Sequence, residues 1–370
     1  MQAGATLAVG INALLVLGIL PVLLGALADE HRLTASGIGL TATTEALCMG
    51  LATGAMGLVR RPGRLRLIGA AGAIGLALVN LLCTQADDLT LMVLRGAAGG
   101  LEGVLLWIAI SMIARTVTPE RWAGVFFTGQ TLAQLLLAIV LAQLVVPRFG
   151  ANGVYFALAT TGLTGVIPAL IGPGRFAPLP IGQGESESPP LRGWIALAAT
   201  LVYVSAGGAV GVYLAPLARE AGLATGVVGT AVSISLASQV AGGALATMLA
   251  GRVRYFTIFV LTTLVSLAVW TLFAGAAPAW LFITANAAAG LFALLLGPFI
   301  VPMTIDADPS RRAAMQSGAA QLLGGALGPL LASQVVGDRD VHGVLWLGAG
   351  LMLTGLAMVA GLRFSTRQSA

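Results

Sequence analysis

The chain has 370 residues, of which 58% are hydrophobic and only 9% are charged, whereas about a quarter of the residues are charged in an ordinary soluble domain. No water-soluble fold of this length buries so much apolar surface, so the composition excludes a soluble protein. A transmembrane helix needs about 20 predominantly apolar residues, and such stretches follow one another along the chain. We therefore predict an all-α membrane protein.

Twelve apolar spans, separated by short polar clusters, are predicted as transmembrane helices. The first span lacks a signal cleavage site and is expected to be retained as a helix. Cys48 and Cys83 fall inside spans and are expected to pack as small apolar residues. No metal motif is visible, and we expect no cofactor. The spans are 5–28, 37–58, 66–85, 89–113, 122–145, 152–171, 194–217, 227–249, 255–275, 279–303, 313–336 and 342–362.

The 19 basic residues are all arginines, and the pI is near 10. They are spread over the loops between spans rather than gathered on one face, so no nucleic-acid partner is expected. With a cytoplasmic N-terminus, fourteen arginines face the cytoplasm, Arg95 lies within a span, and only Arg32, Arg148, Arg219 and Arg339 face outward. This positive-inside bias predicts a multi-pass protein of the bacterial inner membrane with both termini in the cytoplasm.

The middle of the chain, residues 172–193, is rich in Pro, Gly and Ser and is predicted to be a cytoplasmic linker. The sequences on either side of it repeat each other weakly. A shift of 190 residues places Pro119 on Pro309 and Arg121 on Arg311, and a shift of 188 places Gly63-Arg64-Leu65-Arg66 on Gly251-Arg252-Val253-Arg254. Because these matches fall at equivalent loops, we predict two pseudo-symmetric six-helix bundles, 1–171 and 194–370.

Two six-helix halves, a central linker and basic loops after helices 2 and 8 resemble the major facilitator superfamily. Residues 57–66 look like the family's loop between helices 2 and 3, although this loop is one residue short and lacks the aspartate. Leu91, Arg95 and Gly99 match the family's motif on helix 4, in which the arginine is commonly tied to proton coupling. The antiporter motif of helix 5 is missing, and a Gly324-xxx-Gly328-Pro329 sequence occurs on helix 11 instead.

Only three ionisable Asp, Glu or Arg residues, Glu45, Arg95 and Glu102, lie well inside the predicted spans. A charge at the centre of the bilayer costs about 2.5–3.5 kcal/mol, so we predict that these residues take part in proton coupling. Glu45 and Arg95 lie at similar depths and are expected to form an ion pair. The alternative to a functional role is that this ion pair only holds helices 2 and 4 together. Arg95 and Glu102 are about 10 Å apart along one helix and are not expected to bond directly. Burial favours the neutral form of Glu102, as a proton carrier requires.

The C-terminal half is nearly free of charge within its spans but carries several hydrogen-bonding side chains. We expect them to form a neutral wall of the substrate site that faces a more charged N-terminal half, in which Arg95 binds an anionic group or tunes a carboxyl. The alternative for each polar side chain is a hydrogen bond between helices. His31 and His342 are expected to be solvated in outer loops. The candidate substrate-binding residues are Arg95, Tyr203, Tyr213, Gln239, Asn286, Gln316 and Gln321, with Ser235 beside them.

Together these features predict a secondary active transporter of a small organic solute that works by alternating access in the lipid bilayer. Proton-coupled uptake of an organic acid is favoured, and proton-coupled efflux of drugs or other amphipathic compounds is the alternative. An intramembrane enzyme or a non-transporting sensor is a third possibility. Apart from His342 at the first position of the last span, the predicted spans hold no histidine, lysine or aspartate, and no segment is long enough for a soluble output domain. A monomer is expected.

Overall fold

The computed structural model describes residues 2–33, 35–59, 63–177, 188–275, 277–336 and 341–365. Most of the predicted linker, 178–187, lies outside these residues, as do Arg339 and Arg367. The described residues fold into α-helices and contain no β-strand. The helices are α1 (Gln2–Asp29), α2 (Ala35–Gly57), α3 (Leu65–Cys83), α4 (Asp88–Ile113), α5 (Pro119–Val140), a π-helical turn (Leu141–Val145), α6 (Val146–Thr164), α7 (Val166–Ile171), α8 (Leu191–Val212), α9 (Leu214–Glu220), α10 (Thr225–Leu249), α11 (Tyr255–Phe273), α12 (Ala279–Ala307), α13 (Arg312–Ala332) and α14 (Gly343–Ser365).

Nine helical segments of the described residues are long and apolar enough to cross a bilayer. One of them, Pro119–Ile171, covers 53 residues and contains two of the predicted spans, 122–145 and 152–171. Helices α2 and α13 are not among the nine. A multi-pass, all-α membrane protein is thus confirmed, whereas the number of twelve crossings stays a prediction.

Two of the predicted spans are interrupted. The sixth span, 152–171, is divided at Gly165 between α6 and α7. The turn before this span lies at Gly150, which has a positive φ of 59°, and the Glu30 carboxylate accepts a hydrogen bond of 2.7 Å from the next backbone N–H, that of Ala151. The seventh span, predicted to run to residue 217, breaks at Tyr213, and α9 follows. Pro216 explains this break, because a proline ring clashes with the carbonyl four residues earlier.

The chain divides into two compact units. Unit 1 comprises Met1–Arg115 and Gly129–Gln183, and unit 2 comprises Thr116–Thr128 and Gly184–Ala370. The first part of α5 therefore groups with unit 2, which differs from the predicted halves. The pseudo-symmetry of those halves stays a prediction.

The most extensive helix pairs are α2 with α4 in unit 1 and α10 with α12 in unit 2. Glycines make both approaches close: a Cβ on Gly99 would overlap the carbonyl oxygen of Glu45, and a Cβ on Gly290 would overlap Ser235. Small residues at helix crossings are typical of membrane helices, because they let the backbones approach. Glu45 and Ser235 are themselves related by the 190-residue shift, so the two pairs occupy equivalent places in the sequence repeat.

Candidate functional site

A buried cluster of charge lies in unit 1, where α2, α3 and α4 meet. The side chains of Glu45, Arg95 and Glu102 are 0%, 1% and 2% exposed. Arg95 donates from Nε to Oε2 of Glu45 at 3.1 Å and from Nη2 to Oε1 of the same carboxylate. Its Nη1 donates to Oδ1 of Asn80 at 2.8 Å, and the Asn80 amide is held in turn by Leu76 O at 2.9 Å. The ion pair predicted between Glu45 and Arg95 is present.

Backbone packing sets the position of this ion pair. Gly99 lies one turn after Arg95 and rests against the carbonyl oxygen of Glu45. One turn further on, Gly103 lies in the same way against the carbonyl oxygen of Met49. Because both contacts leave no room for a Cβ, α2 lies directly against α4. The guanidinium therefore reaches the Glu45 carboxylate within the packed helices.

Arg95 and Glu102, which were not expected to bond directly without help from another helix, form an ion pair beyond hydrogen-bond distance. Nη2 of Arg95 lies 3.8 Å from Oε1 of Glu102. Side chains on a helix lean toward its N-terminus, so the Glu102 carboxyl lies well before its own Cα along α4. The roughly 10 Å between the two Cα positions is bridged by two long side chains. Oε2 of Glu102 is buried and has no hydrogen-bond partner among the described residues.

The cluster contains two carboxyl groups and a single guanidinium. With both carboxyls ionised it would carry one net negative charge in a buried place, and an uncompensated buried charge is strongly destabilising. One proton makes the cluster neutral. Glu45 holds the bidentate contact with Arg95, whereas Oε2 of Glu102 has no hydrogen-bond partner among the described residues.

Two further polar groups near the cluster were not singled out by the sequence. The hydroxyl of Tyr155 in α6 is buried and has no partner among the described residues. Its ring lies under the guanidinium of Arg32, 5.9 Å from the guanidinium carbon to the ring centroid, and Arg32 also binds Asp87 at 2.9 Å. The second group is Asn80, which accepts the hydrogen bond from Nη1 of Arg95. Its position as an amide inside an apolar span could have identified it in the sequence.

A second feature is a cavity of about 420 Å³ within unit 2. Three of the predicted substrate-binding amides, Gln239, Asn286 and Gln321, line it together with Ser235 and Tyr203. None of the residues described around this cavity is an aspartate, glutamate, arginine or histidine. Other members of its wall were not predicted, because their apolar or small side chains look like ordinary span residues. They include Phe127, Thr262, Ser266, Trp270 and Phe273.

The predicted residues have unequal parts in this cavity. The hydroxyl of Tyr203 is taken by Thr263 Oγ1 at 2.8 Å and Phe259 O at 3.2 Å. The Asn286 amide donates to Ala231 O at 3.0 Å, which joins α12 to α10. Among the described residues, the Gln239 side chain has no hydrogen bond to another protein group. Its amide is therefore the clearest candidate to bind a solute.

Two residues singled out in the sequence lie elsewhere than expected, and a third has an unexpected partner. Gln316 is buried within α13 and Tyr213 is half-buried at the end of α8, and neither lines the cavity. His342 was expected to be solvated, but its Nδ1 lies 3.0 Å from Oε2 of Glu220. The same carboxylate accepts a hydrogen bond from the backbone N–H of Val341 at 3.0 Å. Glu220 of α9 is thus an acceptor for the loop before α14, and the sequence did not reveal this contact.

The charge cluster and the neutral cavity overlap only partly in the sequence repeat, because the 190-residue shift carries Arg95 to Ala285 and Glu102 to Phe292, which do not line the cavity. The 190-residue shift carries Glu45 to Ser235, Asn80 to Trp270 and Cys83 to Phe273. All three residues reached in this way line the cavity of unit 2. At one of these positions unit 1 has a carboxylate, Glu45, where unit 2 has the hydroxyl of Ser235.

Comparison by sequence finds no matching protein family and no matching curated protein. Solved structures do match. FucP, a major facilitator superfamily transporter in the outward conformation, has a TM-score of 0.73 at 13% identity, covering 97% of this chain and 98% of that chain. A variant of the E. coli fucose:proton symporter FucP has a TM-score of 0.76 at 12% identity with the same coverage. The human organic anion transporter MFSD10 (TETRAN) has a TM-score of 0.73 at 13% identity, again covering 97% and 98%. The chain therefore has the fold of major facilitator superfamily transporters, as the sequence predicted.

Proposed function

We propose that the protein is a proton-coupled secondary transporter of a small organic solute. The observation that carries this proposal is the cluster of Glu45, Arg95 and Glu102, in which two buried carboxyls share one guanidinium. Such a cluster is neutral with one proton bound and carries a buried negative charge without it. Binding and release of that proton therefore change the free energy of the surrounding helices, which is what coupling to a proton gradient requires.

The roles within the cluster differ. Glu102 carries the proton, because one of its oxygens has no hydrogen-bond partner among the described residues. Glu45 binds Arg95 through both carboxylate oxygens and keeps the guanidinium in place. Arg95 belongs to the coupling machinery rather than to an anion site, because its donors already face Glu45 and Asn80.

For the solute, the cavity of unit 2 favours an uncharged polar molecule over the organic acid that the sequence favoured. Amides and hydroxyls there offer hydrogen bonds, and rings such as Trp270 offer an apolar surface, but the described residues of the wall supply no cation for a carboxylate. An organic acid is retained as the alternative. The fold does not decide between them, since a fucose:proton symporter and an organic anion transporter both share it.

We place both termini and the 172–193 linker in the cytoplasm of a bacterial cell, on the strength of the arginine asymmetry. We also propose uptake driven by inward proton movement, with a monomer as the working unit. Efflux of amphipathic compounds is the second candidate, and it is favoured by the aromatic part of the cavity wall, Phe127, Trp270 and Phe273.

Purified protein in liposomes with an imposed pH gradient tests the proposal. Radiolabelled sugars and polyols, organic acids and amphipathic drugs are offered in turn, and accumulation is measured with and without a protonophore. We expect an uncharged polar solute to accumulate on the alkaline side and to leak out when the protonophore is added. Accumulation of an acid instead would support the alternative solute class, and drug movement opposite to the protons would support efflux. No gradient-driven transport in any class would contradict the proposal.

A further inference from the structure

A cleft of about 540 Å³ lies at the end of unit 2 that the arginine asymmetry places in the cytoplasm. Three arginines line it: Arg252 and Arg254 from the turn between α10 and α11, and Arg363 from the end of α14. The coupling cluster and the solute cavity contain none of these residues. The cleft is therefore a separate feature of the molecule.

The charges of the cleft are unequal. Three guanidiniums face the two carboxylates of Glu120 and Asp306, which leaves an excess of positive charge. Asp306 also accepts a hydrogen bond of 2.7 Å from the Tyr255 hydroxyl. The described contacts include no ion pair with Arg252 or Arg254, and both side chains are exposed. Their planar donors match the oxygens of a phosphate group, which a guanidinium can bind in a bidentate way.

Part of the lining of the cleft is apolar. Phe256, Phe299 and Pro302 line it, and the Arg363 guanidinium lies 4.4 Å from the centroid of the Phe256 ring. The ring of Phe364, which is 54% exposed, lies 6.2 Å from that of Phe256 and extends the apolar surface outward. A soluble anion needs only the guanidiniums, whereas a lipid also needs an apolar surface beside them.

We propose that this cleft binds the phosphate-bearing headgroup of an anionic membrane lipid, with Arg252 and Arg254 on the phosphate and the phenylalanine wall against the start of an acyl chain. Basic pockets between helices on the cytoplasmic side of a membrane protein have the chemistry to hold such headgroups. The site does not depend on the proposed transport function.

Native mass spectrometry of the full-length protein released from detergent micelles tests the site. The probes are phosphatidylglycerol, phosphatidylcholine and inorganic phosphate. We expect phosphatidylglycerol to be retained in preference to phosphatidylcholine, and excess inorganic phosphate not to displace it. Removing one guanidinium should weaken the retention of phosphatidylglycerol about fivefold. Retention should therefore fall about fivefold in Arg252→Gln and roughly 25-fold in Arg252→Gln/Arg254→Gln.

The matched control is Arg64→Gln, which removes the corresponding exposed arginine from the equivalent loop of unit 1 and should change retention less than twofold. Asp306→Asn should act in the opposite direction and strengthen retention about fivefold, a gain that misfolding cannot produce. Equal losses in Arg252→Gln and Arg64→Gln, or no gain in Asp306→Asn, would overturn the site. Displacement by inorganic phosphate at matched concentration would overturn the lipid as its ligand and identify a soluble phosphate.

Discussion

Arg95 of α4 and Glu45 of α2 form a bidentate ion pair in which both side chains are almost fully buried. Burying two charges costs free energy that their attraction only partly returns, so such a pair is weak evidence of a purely stabilising role. The second carboxyl, Glu102, adds a negative charge to a site that one guanidinium cannot neutralise. A cluster with this composition has a reason to exist if its protonation changes during function.

Removing the cation alone should be costly. Arg95→Gln leaves Glu45 without its partner, and breaking a buried pair in this way costs roughly 3–5 kcal/mol. The double change Glu45→Gln/Arg95→Gln removes both charges and should recover at least half of that loss. The free energy of unfolding in mixed micelles measures both effects. A double variant less stable than Arg95→Gln would show that charge balance does not govern the cluster.

The close approach of α2 and α4 should be sensitive to a single methyl group. Gly99→Ala places a Cβ against the Glu45 carbonyl oxygen and should destabilise the protein by about 1–3 kcal/mol, the usual cost of overpacking. A Cβ on the neighbouring Gly100 would have no other atom within 4 Å. Gly100→Ala should therefore be neutral or stabilising by up to about 1 kcal/mol. Thermal unfolding of the two variants side by side checks this, and equal destabilisation would contradict the packing.

Much of the fold could be predicted because the signals for it are strong in the sequence. Apolar spans of about 20 residues have few alternatives to transmembrane helices, and charges inside them are rare enough that Glu45 and Arg95 could be paired by depth alone. The contact between Arg95 and Glu102 was missed because the prediction compared Cα positions and ignored the length of the two side chains.

The cavity of unit 2 was only partly predictable. Gln239, Asn286 and Gln321 drew attention as polar residues in apolar spans, but the same reasoning also selected Tyr213 and Gln316, which do not line it. Trp270 was overlooked, because an aromatic residue in a span gives no sign of whether it faces lipid, core or cavity. Helix orientation decides this, and it follows from packing between helices far apart in sequence.

If the cavity of unit 2 binds the solute, a change in its wall should weaken solute binding and a change outside it should not. Gln239→Ala removes an amide from the wall, and losing one hydrogen bond to the solute should raise Kd about 5- to 10-fold. Gln334→Ala, which removes an exposed amide after the end of α13, should leave Kd within twofold. Isothermal titration or scintillation proximity binding measures both. An unchanged Kd in Gln239→Ala would exclude this residue from the solute site.

Topology can be checked with single cysteines in a background where Cys48 and Cys83 are replaced by alanine. Gln85 lies in the exposed turn between α3 and α4, and Val117, 94% exposed, lies between α4 and α5. With the N-terminus inside, Gln85→Cys should react with an impermeant maleimide in intact cells, whereas Val117→Cys should react only after the membrane is permeabilised. The reverse pattern would contradict the arginine-based orientation.

The most direct test of proton coupling uses Glu102→Gln, which keeps the shape and hydrogen bonding of the protonated carboxyl but cannot release a proton. Gradient-driven accumulation and equilibrium exchange of the same solute are measured in the same preparation of liposomes. We expect Glu102→Gln to lose accumulation while it retains solute binding and exchange, because only the energised step needs deprotonation. If Glu102→Gln accumulates solute as well as the unaltered protein does, Glu102 is not the proton carrier, and the role passes to Glu45 or the transport is not proton-coupled.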